Sequence, residues 1–329
     1  MIMIYLIVFL SATIVLTTAI GPVYVPPLEI IGFIGDRLLP GERAEPIPHE
    51  VIIFEVRLPR IMLGILVGLS LATAGTALQG LFKNPMADPY IIGIASGAAV
   101  GAALSILVLH PFFGIFTTPF MAFIGALCSI FVVYNIAKVG GKIPVDTLLL
   151  TGIAVSLFLG AVLSFMMSVA GGALHQIFFW LMGGFWLASW TQVKIIALPV
   201  LVCFSLIYLF AKDLNAMLLG EESAQTLGIN VENAKRILLV LSAFITAAAV
   251  SFSGTIGFVG LIIPHVTRIL VGPDHRILFP ASALVGGIFL VWMDALARLL
   301  GEMPVGIITA FVGAPFFIYL LKKRKSGYY

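Results

Sequence analysis

Two stretches of this sequence, Ile61 to Leu81 and Ile237 to Ile256, run without a single charged side chain. Each has the length, about 20 residues, that an α-helix needs to cross a bilayer. In hydrocarbon every backbone N–H and C=O must find a partner inside the protein, which leaves only helices and closed barrels. A barrel is written as alternating segments of about ten residues, so continuous apolar runs exclude it. The rest of the chain follows suit: of 329 residues, 61 % are hydrophobic and 10 % charged, against about 25 % charged in soluble domains. That supplies about ten crossings with short connections. The expectation is an all-α, polytopic membrane protein forming a single transmembrane domain over residues 1–329, and not a soluble enzyme.

Spans are expected near Ile2 to Ile20, Ile61 to Leu81, Ile91 to Leu109, Pro119 to Ala137, Val145 to Ala170 and Val193 to Ala211. Four more follow: Ile237 to Ile256, a short broken piece from Phe258 to Val271, Ile277 to Leu300, and Val305 to Leu321. Residues 1–20 lack the basic start and small-residue cleavage site of a signal peptide, so they read as a retained first span. In the broken piece, Pro264 removes a backbone donor and kinks the helix, which lipid tolerates only where neighbouring protein satisfies the freed carbonyl.

The net charge of +3 is too small and scattered to indicate nucleic acid. Its use is orientation, because short cytoplasmic loops collect Lys and Arg. An even number of spans puts both termini on one side, and Lys322, Lys323, Arg324 and Lys325 mark that side as cytoplasmic. Lys83, Lys138, Lys142, Lys212, Lys235, Arg236, Arg268 and Arg276 then also fall inside, twelve of the eighteen basic residues in all. The largest outer segment, Gly21 to Arg60, carries Glu29, Asp36, Glu42, Glu45, Glu50 and Glu55 and reads as a solvated cap. Arg57, Arg60 and Arg298 sit at outer ends of spans against the usual bias. Snorkelling, or for Arg298 a pair with Asp294 four residues back, is the plain explanation.

Laying residues 57–93 on 236–272 at an offset of 179 matches Arg57 with Arg236, Gly75 with Gly254, Pro85 with Pro264 and Gly93 with Gly272. The first member of each pair belongs to an inward-running stretch and the second to an outward-running one, the inverted pattern of two-halved transporters. The halves fall at about 57–170 and 236–321. Gly64 and Gly68, then Gly93, Gly97 and Gly101, recur every four residues and so line helix faces where backbones can touch.

Several chemistries are missing. Gly140-Gly141-Lys142 is followed by Ile143 and lacks the spacing and hydroxyl of a phosphate loop, so the chain cannot hydrolyse ATP itself. His49-Glu50 opens no zinc motif, since Ile53 stands where the second His belongs, and no nucleophile elbow occurs. No metal site and no catalytic residues are expected. His110, His175 and His265 stand apart in sequence, and Cys128 and Cys203 lie in apolar segments as packing residues. No chain of mid-membrane acids suggests a proton relay.

The longest inner loop, Lys212 to Arg236, is too polar for lipid yet keeps a spaced apolar set: Leu214, Met217, Leu218, Ala224, Leu227 and Val231. It reads as short amphipathic helices, with Gly220 breaking the first, Glu221 and Glu222 opening the second, Gly228 closing it and Asn230 capping a third. Apolar residues on such a loop call for a partner groove.

Gly220-Glu221-Glu222-Ser223-Ala224-Gln225-Thr226-Leu227-Gly228 resembles the coupling segment of ATP-binding-cassette importer permeases. Three longer blocks narrow the resemblance to the permeases of iron-siderophore, haem and cobalamin uptake. They are Arg57-Leu58-Pro59-Arg60 leading through Gly75 and Gln79 to Asn84-Pro85-Met86-Ala87-Asp88-Pro89, then Gly257 to His265, then Gly313-Ala314-Pro315; Trp180 to Phe185 adds a fourth. The likeness runs in order along essentially the whole chain. One departure is that no basic N-terminal extension precedes the first span.

The resemblance implies a homodimer of ten-helix permeases in the plasma membrane, two separate ATPase subunits on the cytoplasmic side, and a soluble substrate-binding protein outside. No cofactor is implied on this chain, with ATP and Mg²⁺ held by the partner ATPase. Gly220, Glu221, Ala224, Leu227 and Gly228 would couple to the ATPase, with Ala224 and Leu227 packed in its groove. Asn84, Met86, Val145 and Asp146 would form the cytoplasmic gate, and Arg57, Arg60 and Arg298 would face carboxylates of the binding protein. The residues alone leave two other readings open, an ion-coupled secondary carrier and a membrane scaffold. They do not choose among ferric siderophore, haem, cobalamin or an oxyanion as cargo.

Overall fold

The computed structural model describes residues 2–21, 23, 25–38, 48–108, 113–138, 140 and 144–326. Glu42, Glu45, His110, Gly141 and Lys142 lie outside them, as do the side chains of Asp36, Lys323, Arg324 and Lys325. The helices are α1 (Ile2–Ala19), α2 (Pro27–Leu38), α3 (Pro48–Val51), α4 (Leu58–Leu81), α5 (Ile94–Leu107), α6 (Thr117–Ala137) and α7 (Val145–Ser168). They continue as α8 (Leu174–Met182), α9 (Trp190–Leu209), α10 (Ala211–Leu218), α11 (Glu221–Thr226), α12 (Val231–Ser253), α13 (Val259–Val271), α14 (His275–Leu299) and α15 (Val305–Ser326). No strand occurs among the described residues.

Each expected span falls on one helix. Among the described residues seven helices are long and apolar enough to cross a membrane, and three more apolar ones, Ile94–Leu107, Val259–Val271 and Val305–Tyr319, are shorter. About ten spans is therefore the right scale for this polytopic all-α fold.

The bundle is built around α4, whose residues are nearly all buried, with α14, α12 and α13 packed on it. Lipid tails are as apolar as leucine, so helices associate here by close backbone packing. A Cβ on Gly68 would collide with the backbone of Gly286 and Gly287 in α14. Gly97 likewise meets Gly125, where α5 crosses α6. Gly93 continues that face, since a Cβ there would meet Ser129 of α6, and it takes φ +85° ahead of α5, a left-handed conformation that suits glycine.

Two of the short helices begin where irregular backbone ends: α5 after residues 82–93 and α13 after residues 254–258. These irregular pieces meet. The Tyr90 hydroxyl donates to the Ile256 carbonyl at 3.0 Å and accepts from its N–H at 3.2 Å. Pro264 lies inside α13 and deprives the Gly260 carbonyl of its helical donor. The Gln79 amide of α4 donates to the carbonyls of Gly260 at 3.3 Å and Leu261 at 3.0 Å. Neighbouring protein thus satisfies the carbonyl that proline frees.

Two of the residue pairs matched at offset 179 do not occupy equivalent places. Gly75 is inside α4 while Gly254 ends α12, and Pro85 is in a connection while Pro264 is in a helix. What recurs is the order long, short, long in α4–α6 and again in α12–α14.

The segment 21–60 is more than a solvated cap. Val25 and Ile30 (from the α2 region), Ile53 and Leu58 form a small apolar cluster with Ala19, while Leu28 and Ile31 on the other side of α2 stay exposed.

Candidate functional site

At one end of the bundle three arginines cluster, two of them on the last turn of α1. A helix leaves its last four carbonyls without donors and carries partial negative charge there. Arg57 donates to the carbonyls of Thr18 at 2.6 Å and Val23, and Arg298 to those of Ile20 at 2.8 Å and Thr17 at 3.0 Å. Arg60 reaches across to α14 and holds both oxygens of Asp294 through Nε, at 2.9 and 3.1 Å. Its Nη1 donates to Glu302 at 2.7 Å. Arg298 Nε lies 3.3 Å from Asp294, the intrahelical pair that the spacing anticipates. All three arginines are buried in this chain, and Asp294 with them. Three guanidiniums face two carboxylates, of which Glu302 is 41 % exposed, and Arg60 Nη2 has no hydrogen-bond partner.

Beside this cluster a hollow of about 460 Å³ is lined by Phe179, Trp180, Trp186 and Phe252 with the amides of Gln176 and Gln192. Trp186 donates its indole N–H to the Glu302 carbonyl at 3.3 Å, which ties the hollow to the arginine cluster.

At the opposite end lie α10 and α11. Gly220 (φ +131°) separates them and Gly228 (φ +84°) follows α11, while the Asn230 side chain accepts from Asn233 N–H at 3.1 Å to cap α12. The spaced apolar set divides. Leu214, Met217, Ala224 and Val231 are buried in this chain's own core, so the coupling residue Ala224 packs inward. Leu218 and Leu227 face outward together with Leu219, which is 78 % exposed. Glu221 is tied to Lys235 at 2.7 Å, fixing α11 against α12.

The same end holds Asn84, Met86, Val145 and Asp146. Asn84 is exposed, and its side-chain oxygen accepts from Met86 N–H at 2.9 Å. Asp88 accepts from Tyr90 N–H at 2.7 Å and so starts the short turn Pro89–Ile92. Burial pushes the Asp88 carboxyl up to about 6, offset in part by that hydrogen bond. The turn rests on α7 where Gly152 meets the backbone of Ile91 and Ile92. The turn Pro89–Ile92 and α7 are therefore neighbours at Gly152, with Val145 half-buried and Asp146 exposed at the start of α7.

Three features of these sites escape the sequence: Glu302 on Arg60, Tyr90 on Ile256, and Asn215 of α10, which bonds Asp274 and His275. Only the last has a legible signal, a polar residue between Leu214 and Met217 on the inward stripe of α10.

The sequence model of the FecCD transport family matches residues 7–323. The cobalamin import system permease protein of Halobacterium salinarum is 51 % identical over 282 residues, covering 85 % of this chain and 76 % of that one. The hemin transport system permease protein of Yersinia pestis is 40 % identical over 279 residues, covering 82 % and 83 %. A solved metal-chelate-type ABC transporter in an inward-facing conformation has a TM-score of 0.86 and 32 % identity, covering 98 % and 99 %.

Proposed function

The chain belongs to the FecCD transport family, and on that premise we propose that it moves a cobalamin-type metal chelate inward as one half of a homodimer. It is a multi-pass transmembrane permease subunit of an ATP-binding-cassette importer and not an enzyme, with ATP hydrolysed on a separate chain. The 51 % identity to a cobalamin permease favours a corrinoid over haem or a ferric siderophore. No cofactor resides on this chain; ATP and Mg²⁺ belong to the partner ATPase. Both termini lie in the cytoplasm of a plasma-membrane protein, and residues 57–170 and 236–321 act as the two inverted halves.

The observation that carries the reading is the outward face of the α10–α11 segment. Leu219 and Leu227 are 78 % and 67 % exposed on a scaffold held by Ala224, Met217 and the Glu221–Lys235 pair. Fully burying one leucine is worth about 1.5–3 kcal/mol, which an ATPase groove would recover. Gly220 and Gly228 shape the segment; Ala224 supports it from within rather than entering the groove. Asn84, Met86, Val145 and Asp146 form the cytoplasmic gate, closing against their copies across the dimer axis.

Arg57, Arg60 and Arg298 serve binding-protein docking in a specific form. Arg57 and Arg298 are occupied by α1, so the available donor is Arg60, once a carboxylate of the binding protein competes with exposed Glu302. A bidentate guanidinium–carboxylate pair sets register as well as energy.

The ion-coupled carrier has no observation in its favour. Asp294 is held by two arginines, and Asp88, the carboxyl that burial pushes up, accepts from the Tyr90 N–H.

Leu227→Glu tests the reading: association with the ATPase should fall by at least about tenfold while the permease keeps its melting temperature. Unchanged association with intact folding would reject α11 as the docking segment.

A further inference from the structure

Beyond its apolar packing, the inner segment is hydrogen-bonded to the start of α14 through the side chain of Asn215. Asn215 of α10 donates from Nδ2 to Asp274 Oδ1 at 2.6 Å. Its Oδ1 accepts from the His275 backbone N–H at 2.9 Å and lies 2.8 Å from His275 Nδ1. Because Asp274 fixes Nδ2 as the donor, Oδ1 is the acceptor, and His275 Nδ1 carries the proton. Asp274 is itself held by Arg276, through the side chain at 2.7 Å and the backbone N–H at 3.0 Å. The Arg276 hydrogen bonds, with that of Asn215, keep its carboxyl well below the usual range, so it stays an acceptor.

The imidazole continues inward. His275 is 1 % exposed, and its Nε2 lies against Gly80 on the last turn of α4 so closely that no Cβ fits there. Nε2 has no hydrogen-bond partner among the described residues, so the bond that orients the ring, beside its packing on Phe279 and Gly80, is the one from Nδ1 to Asn215. Gly80 O in turn accepts from Lys83 N–H at 3.3 Å, and Gln79 O accepts from Asn84 N–H at 3.2 Å. Those two bonds set the path of the chain into residues 84–88.

We propose that Asn215 and His275 form a bracket by which the position of α10 sets the position of the α4 terminus and of the Asn84–Asp88 segment. Asn215 is a positioning residue: it acts through His275 and Asp274. The inference rests on the importer reading for what drives α10 and what residues 84–88 close, whereas the bracket itself belongs to this chain alone.

The two levels are separable. Hydrogen exchange on the isolated permease tests the bracket: Asn215→Leu should speed exchange of the Lys83 and Asn84 amides about tenfold, leaving the cores of α6 and α7 unchanged. His275→Asn, which retains a donor near the Nδ1 position, should exchange more slowly than His275→Leu at the same amides. Unchanged exchange in Asn215→Leu, or equal effects of the two His275 variants, would overturn the bracket whatever the protein transports. In liposomes holding the permease with its ATPase and binding protein, cobalamin delivered per ATP hydrolysed should fall about tenfold in Asn215→Leu. ATPase association should be kept. A wild-type ratio there, with altered exchange, would overturn the transmission role and leave the importer reading standing.

Discussion

α4 and α7 are both 24 residues long and nearly equal in hydropathy, yet they have opposite surroundings. The best apolar window of the helix containing α4 is 78 % buried and that of α7 is 11 % buried. Gly64, Gly68, Gly75 and Gly80 with Ser70, Thr73, Thr76 and Gln79 make α4 a helix that others approach closely. In α7, large side chains point outward, among them Leu150, Leu157, Phe158 and Phe165. Hydropathy identifies a span, whereas small residues identify which span is the scaffold, because in lipid only close approach distinguishes a helix neighbour from an acyl chain.

The sharpest way to break the contrast is to strike the polar link between α4 and α14. Asp294→Asn leaves Arg60 and Arg298 with an uncompensated buried charge, which costs about 3–5 kcal/mol. Thermal unfolding in detergent should show a large loss, and an unchanged melting temperature would mean that the arginine cluster is hydrated rather than buried.

A matched pair of glycines comes next. Gly68→Ala pushes a methyl into the Gly286 backbone and should destabilise by about 1–3 kcal/mol. Gly160→Ala in α7 meets nothing within 4 Å and should be neutral or stabilise by up to about 1 kcal/mol through helix propensity. Equal effects on unfolding would erase the distinction between the two helices.

The smallest effect is at the exit of α4. The folded-state carboxyl of Asp88 sits at about 6, above its usual value. The folded protein therefore binds this proton more tightly than the unfolded chain. Stability should rise as pH falls from 7 through about 6 and level off near the unfolded value of about 4. Asp88→Asn keeps the oxygen that caps Tyr90 and should flatten this dependence while raising stability at pH 7. An unchanged pH dependence in the variant would show that Asp88 is not its source.

Much of the fold is legible because each span is its own apolar run. The breaks around Gly220, Gly228 and Asn230 are equally plain, since glycine conformations and caps are local chemistry. The positional repeat at offset 179 misleads, because Gly75 serves helix packing where Gly254 ends a helix. Exposure is also illegible locally. Ala224 and Leu227 look alike as members of an apolar stripe, and only the packing of α11 on α12 sends one inward and the other out. The arginines read as surface groups because their partners, the α1 carbonyls for Arg57 and Arg298 and the carboxylates of Asp294 and Glu302 for Arg60, lie up to 281 positions away in the chain.

The most direct measurement is uptake of radiolabelled cobalamin into liposomes containing the permease, its ATPase and the binding protein. The account expects accumulation that requires ATP and all three components and is indifferent to collapse of ion gradients. Uptake that proceeds without the ATPase and follows a proton or sodium gradient would contradict it.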